Sequence, residues 1–238
     1  MNNSLFKFRT FSQTSFDILN NQELWFALPK SLNDPFECLF DDDEVKKKLA
    51  KFPQMTEHRI EKIASDLRST FESLGVCSFS RARKNQLMWS HYANEHRGFC
   101  IGFNKKLLLE SHRNSIALDV NYQSEQPSIR KLFSGFEFNP VSNALEGNIN
   151  HSVFSDIIRT KYTYWGYERE TRILLPQSCA LKFPHKAIRS VALGLRAEGP
   201  EVETLLEILK QKQWKHVKVY QAEKVKGQFA LRFNEIKI

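Results

Sequence analysis

The chain has 238 residues, of which 41% are hydrophobic and 12% aromatic, and its formal net charge is +8. That length suits one compact domain burying roughly three quarters of its unfolded surface, so no disulfide or structural metal is needed to hold it. No 18-residue apolar run and no apolar leader follow Met1, and the four scattered cysteines, Cys38, Cys77, Cys100 and Cys179, form no CxxC pair. This pattern excludes a helical membrane anchor or a secretory signal and points to a soluble cytoplasmic protein with reduced thiols.

Leu5 to Arg9 alternates apolar and basic, the pattern of a half-exposed strand with Lys7 and Arg9 on one face. Ser12 or Thr14 caps a short helix through Phe16, Ile18 and Leu19 that stops at Asn20 and Asn21. Leu24 to Leu28 is an apolar strand ending at Pro29. In Ser31 to Glu37, Asn33 and Asp34 offer side-chain caps and Pro35 suits a first helical position. Two readings of this segment stand, a capped turn and a loop bordering a cleft. Glu44 to Phe52 reads as a charged helix. Thr56 to Leu74 reads as an amphipathic helix whose apolar face holds Ile60, Ile63, Ala64, Leu67, Phe71 and Leu74, with Gly75 as its C-cap.

Residues 76 to 103 form the densest stretch. Val76 to Phe79 is a short buried strand ending at Ser80, Gln86 to Asn94 a helix, and Gly98 to Phe103 a second buried strand. Met88, His91, Tyr92 and Glu95 recur at helical spacing and share one face. A His, a phenol and a carboxylate on one stripe either aim into a cleft or hydrogen-bond neighbouring backbone as part of the core.

Lys105 to His112 reads as a brief helix and Ile116 to Tyr122 as a strand. The pattern weakens from Gln123 to Asn150, where Pro127, Gly135, Pro140 and Gly147 interrupt it. His151 to Thr160 is expected to be helical. Lys161 to Leu175 is the second concentrated stretch. Read as extended chain, it puts Glu168, Glu170 and Arg172 on one face, neighbouring side chains roughly 7 Å apart. Either this is a solvated face whose charges cancel, or Arg172 and Trp165 hold an anionic catalytic group in place. Ile188 to Gly194 is a strand, Glu201 to Gln213 a helix, and Val217 to Tyr220 and Phe229 to Ile236 are closing strands. Strands and helices intersperse without regular βαβ alternation, so the expected class is α+β: one domain over residues 1–238, with a mixed, mostly antiparallel central sheet flanked by helices.

Charge is uneven along the chain. Residues 182–238 carry twelve Lys and Arg against six Glu, while Asp41, Asp42, Asp43 and Glu44 form an acidic patch. The basic excess serves a nucleic acid, an anionic ligand or only solubility. No P-loop, GxGxxG, HExxH or GxSxG occurs, and no Cys/His set has zinc-like spacing, so no metal is expected.

Taken together, Leu5-Phe6-Lys7-Phe8-Arg9, Asn33-Asp34-Pro35-Phe36-Glu37, Met88-Trp89-Ser90-His91-Tyr92-Ala93 with Gly98-Phe99-Cys100, and Tyr167-Glu168-Arg169-Glu170-Thr171-Arg172 resemble the bacterial domain-of-unknown-function family DUF2971. Membership there names no reaction. A second, weaker resemblance is to ADP-ribosyltransferases, which carry three separated elements in order. Arg9, then Ser78-Phe79-Ser80 with His91 and Tyr92, then Glu168-Arg169-Glu170 correspond to them, and the match is divided between that fold's Arg-Ser-Glu and His-Tyr-Glu arrangements.

This second resemblance implies that the protein uses NAD as substrate, without a metal. Glu170 would hold the ribose and stabilise positive charge, with Tyr92 and His91 beside it as catalytic groups. Arg9 would pair with the pyrophosphate, Trp89 or Tyr92 would stack on nicotinamide, and Ser80, Glu168 and Arg172 would complete the cofactor site. A nucleic-acid or protein acceptor, and a role as a toxin or phage-defence effector, are implied in the same way. Two rivals remain: a non-catalytic nucleotide- or nucleic-acid-binding module using the same cleft, and a hydrolase or nuclease acting through Glu168, Glu170 and His91.

Overall fold

A computed structural model describes residues 3–39, 41–52, 55–128, 137–139, 141–142, 144–146 and 151–238. In chain order the elements are β1 (Ser4–Arg9), α1 (Gln13–Asn20), β2 (Glu23–Phe26), α2 (Asp42–Leu49), α3 (Glu57–Ser73), β3 (Gly75–Ser80), α4 (Gln86–Tyr92), β4 (Phe99–Asn104) and α5 (Lys105–Glu110). Next come β5 (Ile116–Asp119), β6 (Asn121–Gln123), β7 (Glu137–Asn139), β8 (Ala144–Glu146), α6 (His151–Arg159), β9 (Thr160–Tyr162) and a 3-10 turn at Thr163–Glu168. The rest is β10 (Glu170–Leu175), β11 (Cys179–Lys182), β12 (Ile188–Leu193), α7 (Pro200–Lys210), β13 (Lys218–Lys224) and β14 (Leu231–Ile236).

The arrangement is α+β. An eight-stranded sheet runs in the order β14-β13-β12-β4-β1-β3-β10-β5, antiparallel throughout except where β12 lies parallel to β13. One sheet face contributes Leu5, Phe79, Ile101, Phe103, Ile173 and Val191 to the largest core, together with α1, β2 and α7. On the other face Val76 and Leu174 pack with α2, α3 and α6, while Phe8, Cys100 and Ala192 pack with Met88 and Trp89 of α4. Both faces are covered, so strands such as β4 are buried at every position and read as continuous apolar runs. Among the described residues no helix is long and apolar enough to cross a membrane.

One break in this sheet positions everything that follows. β1 pairs with β4 over all six of its residues, and β3 pairs with β10 over all six of its own. Between β1 and β3 the register has a single pair, Phe6 with Ser80. At the far end of β3, Val76 pairs instead with Ala27, just beyond β2, through reciprocal backbone hydrogen bonds of 2.9 and 2.8 Å. The sheet therefore splits alongside Lys7 to Arg9 and Cys77 to Phe79. Lys7 Nζ reaches across the split and donates to the Ser78 carbonyl at 3.1 Å, satisfying a backbone acceptor that a paired strand would have covered.

Several elements depart from the sequence-based expectations. β1 is the half-exposed strand expected, with Lys7 and Arg9 facing one cleft, but it is interior to the sheet and owes that exposure to the split beside it. No helix follows Pro35: Asp34 Oδ1 accepts from Phe36 N at 2.9 Å and closes a turn. The helix at Gln86 stops at Tyr92, because Asn94, Glu95 and His96 all take positive φ. The extended reading of Ile116 to Tyr122 breaks at Val120 into β5 and β6, which join different partners. β11 had no forecast. Half of the weak stretch before His151, including Gly135, Pro140 and Gly147, lies outside the described residues, although β7 and β8 pair within it.

Gly75 is not a helix cap. Leu74 holds that position, and Gly75 begins β3. A Cβ there would lie 2.5 Å from the Gln177 carbonyl oxygen and 2.9 Å from Phe26 Cβ. Glycine is required by close approach and not by a left-handed turn. Gly75→Ala is accordingly expected to cost about 1–3 kcal/mol, the usual range for overpacking, seen as a lower urea midpoint at unchanged slope. An unchanged midpoint would show that the strand shifts freely.

Candidate functional site in the sheet split

A cavity of about 740 Å³ fills the split. Lys7 and Arg9 of β1 line one wall, and Cys77, Ser78 and Ser80 of β3 the other. Glu168 and Glu170 approach from the 3-10 turn and the start of β10, Tyr92 from the end of α4, and Trp25, Asn33 and Glu37 from β2 and the loop after it. Trp25 is 65% exposed, an indole held at the cleft rim.

The floor is a buried ion cluster. Lys161 Nζ lies 2.8 Å from Glu37 Oε1, 2.6 Å from Glu168 Oε2 and 3.5 Å from Glu170 Oε2, and 4.7 Å above the Trp165 ring. Arg172 is fully buried. Its Nε donates to Glu170 Oε1 at 2.9 Å, its Nη1 to the Ile158 carbonyl at 2.5 Å, and its Nη2 to Glu37 Oε2. Tyr92 Oη donates to Glu168 Oε1 at 2.5 Å. Three carboxylates thus meet two cations, which leaves one surplus acid at the cleft floor.

This surplus governs the titration. Burial raises the Glu37 pKa, and it prevails over the opposing charges of Arg172 and Lys161. Burial would raise Glu170 too, but the charge and hydrogen bond of Arg172, then Lys161 and a hydrogen bond from Ser78, bring it below the ordinary carboxylate value. Lys161 loses by desolvation but gains more from Glu170 and Glu37, so its ammonium is held above its usual range. Burial and the hydrogen bond to Glu168 raise Tyr92, which keeps the phenol protonated as a donor.

The local chain explains how the carboxylates converge. Glu168 ends the 3-10 turn, and Arg169 is left-handed at φ 46°, ψ 50°. Two neighbours brace that conformation. Arg81 donates to the Arg169 carbonyl from both its backbone N (2.9 Å) and its Nε (3.1 Å), and Glu170 N donates to Tyr122 Oη at 2.7 Å. Strand alternation therefore holds for Glu170 and Arg172 within β10, which meet on one face, but does not extend back to Glu168. The two Glu side chains meet because Lys161 lies between them.

Of the residues singled out from the sequence, Arg9, Ser80, Tyr92, Glu168 and Glu170 line the one cleft. Arg9 is steadied by Nε donating to Ser15 Oγ at 3.0 Å. Ser80 Oγ donates to the Glu168 main-chain carbonyl at 2.7 Å, so it positions that turn and not the Glu170 carboxylate. Three residues fall elsewhere. Trp89 is completely buried, its Nε1 donating to the Arg83 carbonyl at 2.8 Å and its ring edge-on to Phe8, so no ligand can stack on it. His91 is exposed against Tyr167 and off the cleft wall, and Glu95 lies past the helix end, so the expected four-residue face keeps only Met88 and Tyr92. Arg172 lies behind the carboxylates with its guanidinium consumed, and it acts on the site through Glu170 and Glu37.

Sequence reasoning missed Glu37, Lys161 and Lys7 as site residues. Glu37 stood in a distinctive motif and Lys161 opened the aromatic stretch, but nothing local joined positions so far apart. Among the described residues no group of three His, Cys, Asp or Glu is arranged to hold a metal ion. Residues 88–173, which run from within α4 through β9 into β10, match the model of the family described as protein of unknown function (DUF2971). No curated protein and no solved structure matches the chain.

Removing one partner from a buried ion cluster leaves uncompensated charge, so Arg172→Met is expected to destabilise the fold by about 3–5 kcal/mol. A loss under about 1 kcal/mol in urea unfolding would show that the cluster is hydrated. Glu37 supplies a test by pH. Its folded pKa lies above 4.5, so its contribution is fully present below that value and is lost as pH rises through the folded value. Glu37→Gln should therefore gain stability relative to the wild type as pH rises above 4.5. A pH-independent difference between the two urea midpoints would contradict the assignment.

Proposed function

We propose that the cleft binds NAD and cleaves its nicotinamide–ribose bond, as an ADP-ribosyltransferase-like enzyme that transfers ADP-ribose to a protein or nucleic-acid acceptor. The observation that carries this reading is the gathering of Arg9, Ser80 and Glu170, from the adjacent strands β1, β3 and β10, in one cleft with Tyr92 and Glu168. The cavity of about 740 Å³ lies within the usual range for small-molecule sites, about 300–1,000 Å³.

The cleft separates charge in the way this chemistry requires. Lys7 and Arg9 offer cations along β1 for a pyrophosphate, the guanidinium making paired contacts. The surplus negative charge of the floor faces the sugar. When the C–N bond breaks, nicotinamide leaves with the bonding pair and positive charge develops on the ribose. Fixed carboxylates stabilise that charge without reorganising. Tyr92 and the exposed Trp25 supply ring faces for the bases, the role once expected of Trp89. A transferase of this kind, turned on a cellular target, would serve as a toxin or phage-defence effector.

One observation favours a second reading. Glu168 and Glu170 are both engaged in ion pairs, as pins of a nucleotide-binding module would be. Nicotinamide release from NAD by the purified protein separates the two. The wild type is expected to release nicotinamide, and Glu170→Gln to lose at least about a hundredfold, with a thermal melt confirming that the variant is folded. Saturable NAD binding without release would establish the binding module. Equal release by both proteins would move the catalytic role off Glu170.

A further inference from the structure

A second cavity, of about 490 Å³, shares Lys161 with the cleft. The rings of Phe36, Tyr162 and Trp165 and the carboxylates of Asp34 and Glu125 help to line it. Phe36 is 72% exposed and Tyr162 44%, whereas Asp34 is only 8% exposed. Exposed aromatic rings gathered around a concave site mark a surface kept for binding.

The charge of this cavity is decided by what is already paired. The Lys161 ammonium is claimed by Glu37, Glu168 and Glu170. The side chain of Asp34 receives the Phe36 N–H at 2.9 Å, and among the described residues no cation pairs with it. Asp34 keeps its negative charge at the cavity wall with one backbone hydrogen bond and no counter-ion among the described residues, so a bound cation would supply the missing partner. A phosphate or other anion would meet Asp34 and Glu125 and be repelled. A neutral apolar ligand would strip water from Asp34 and return nothing. A cation gains from the carboxylate and from the ring faces alike, and the Trp165 ring already accepts one ammonium, that of Lys161.

We propose that this cavity binds an organic cation, an ammonium or guanidinium group carried on an alkyl chain, its charge against Asp34 and its stem along Phe36 and Tyr162. Two sources share that chemistry: a free polyamine-like molecule, and a Lys or Arg side chain of a macromolecule. The site stands apart from the NAD reading and is tested without NAD.

The test is calorimetric titration of the whole protein with agmatine and, separately, with the blocked tripeptide acetyl-Gly-Arg-Gly-amide. The citrulline peptide, isosteric and neutral, is the control. At least one cation is expected to bind, and the citrulline peptide to bind at least about tenfold more weakly, since a charge-assisted hydrogen bond is worth that much. Asp34→Asn should lose about tenfold as well. Asn keeps an acceptor for the Phe36 N–H, and Glu125→Gln, at an exposed position, serves if that variant does not fold. Agmatine alone binding assigns a free amine as the source, and the peptide alone a macromolecular side chain. Binding of neither, equal binding of the citrulline peptide, or full affinity in both carboxylate variants would overturn the proposal.

Discussion

The placement of two cations, Lys161 and Arg172, among the carboxylates of Glu37, Glu168 and Glu170 constrains the whole molecule. These five groups come from the loop after β2, from β9, from the 3-10 turn and from β10, and all are nearly inaccessible to solvent. Burying so many charges is expensive, and only dense mutual hydrogen bonding offsets the lost hydration. The cluster therefore adds little net stability, but it penalises any arrangement that displaces one member. That penalty keeps the loop from Leu32 to Glu37 against β10 without a helix or strand of its own.

The sheet split depends on the same cluster. Strands that diverge leave backbone groups facing each other across a gap, and water or a side chain must satisfy them. Lys7 does so for Ser78, and Ala27 takes over the pairing of Val76. Above the gap lie the loop and Tyr92, and Tyr92 is fixed by its hydrogen bond to Glu168. A cavity thus opens in the middle of an otherwise continuous sheet, where the flanking strands are rigid and the polar groups are already aimed.

Electrostatically the site has two ends and two sides. Cations lie along β1, carboxylates on the floor, and a second cavity lined by aromatic rings and the carboxylates of Asp34 and Glu125 meets the first at Lys161. Cations and carboxylates thus line opposite parts of one cleft, while carboxylates and aromatic rings line the neighbouring cavity. One lysine ammonium, held protonated by its three carboxylates, separates two environments of different chemistry.

Much of the fold is legible in local sequence, because period and capping are local. The spacing of Ile60, Ala64, Leu67 and Phe71 specifies α3, Ser12 caps its helix as its position suggests, and the apolar run before Asn104 specifies β4. Tyr92, Glu168 and Glu170 also stand out, since a polar helix face and a charged stretch among aromatics are visible without a structure. What only tertiary structure decides is which of these groups meet. Arg172 and Glu37 lie 135 positions apart, and no periodicity links them. The left-handed turn at Arg169 overrides strand alternation because Arg81 and Tyr122, from distant segments, brace it. Trp89 is set apart from a cleft-facing aromatic by tertiary contacts, among them the Phe8, Phe233 and His96 rings and the Arg83 carbonyl. Composition along the chain thus determined the elements and the kinds of chemistry available; burial and long-range ion pairing, which depend on contacts between distant segments, decided where that chemistry is assembled.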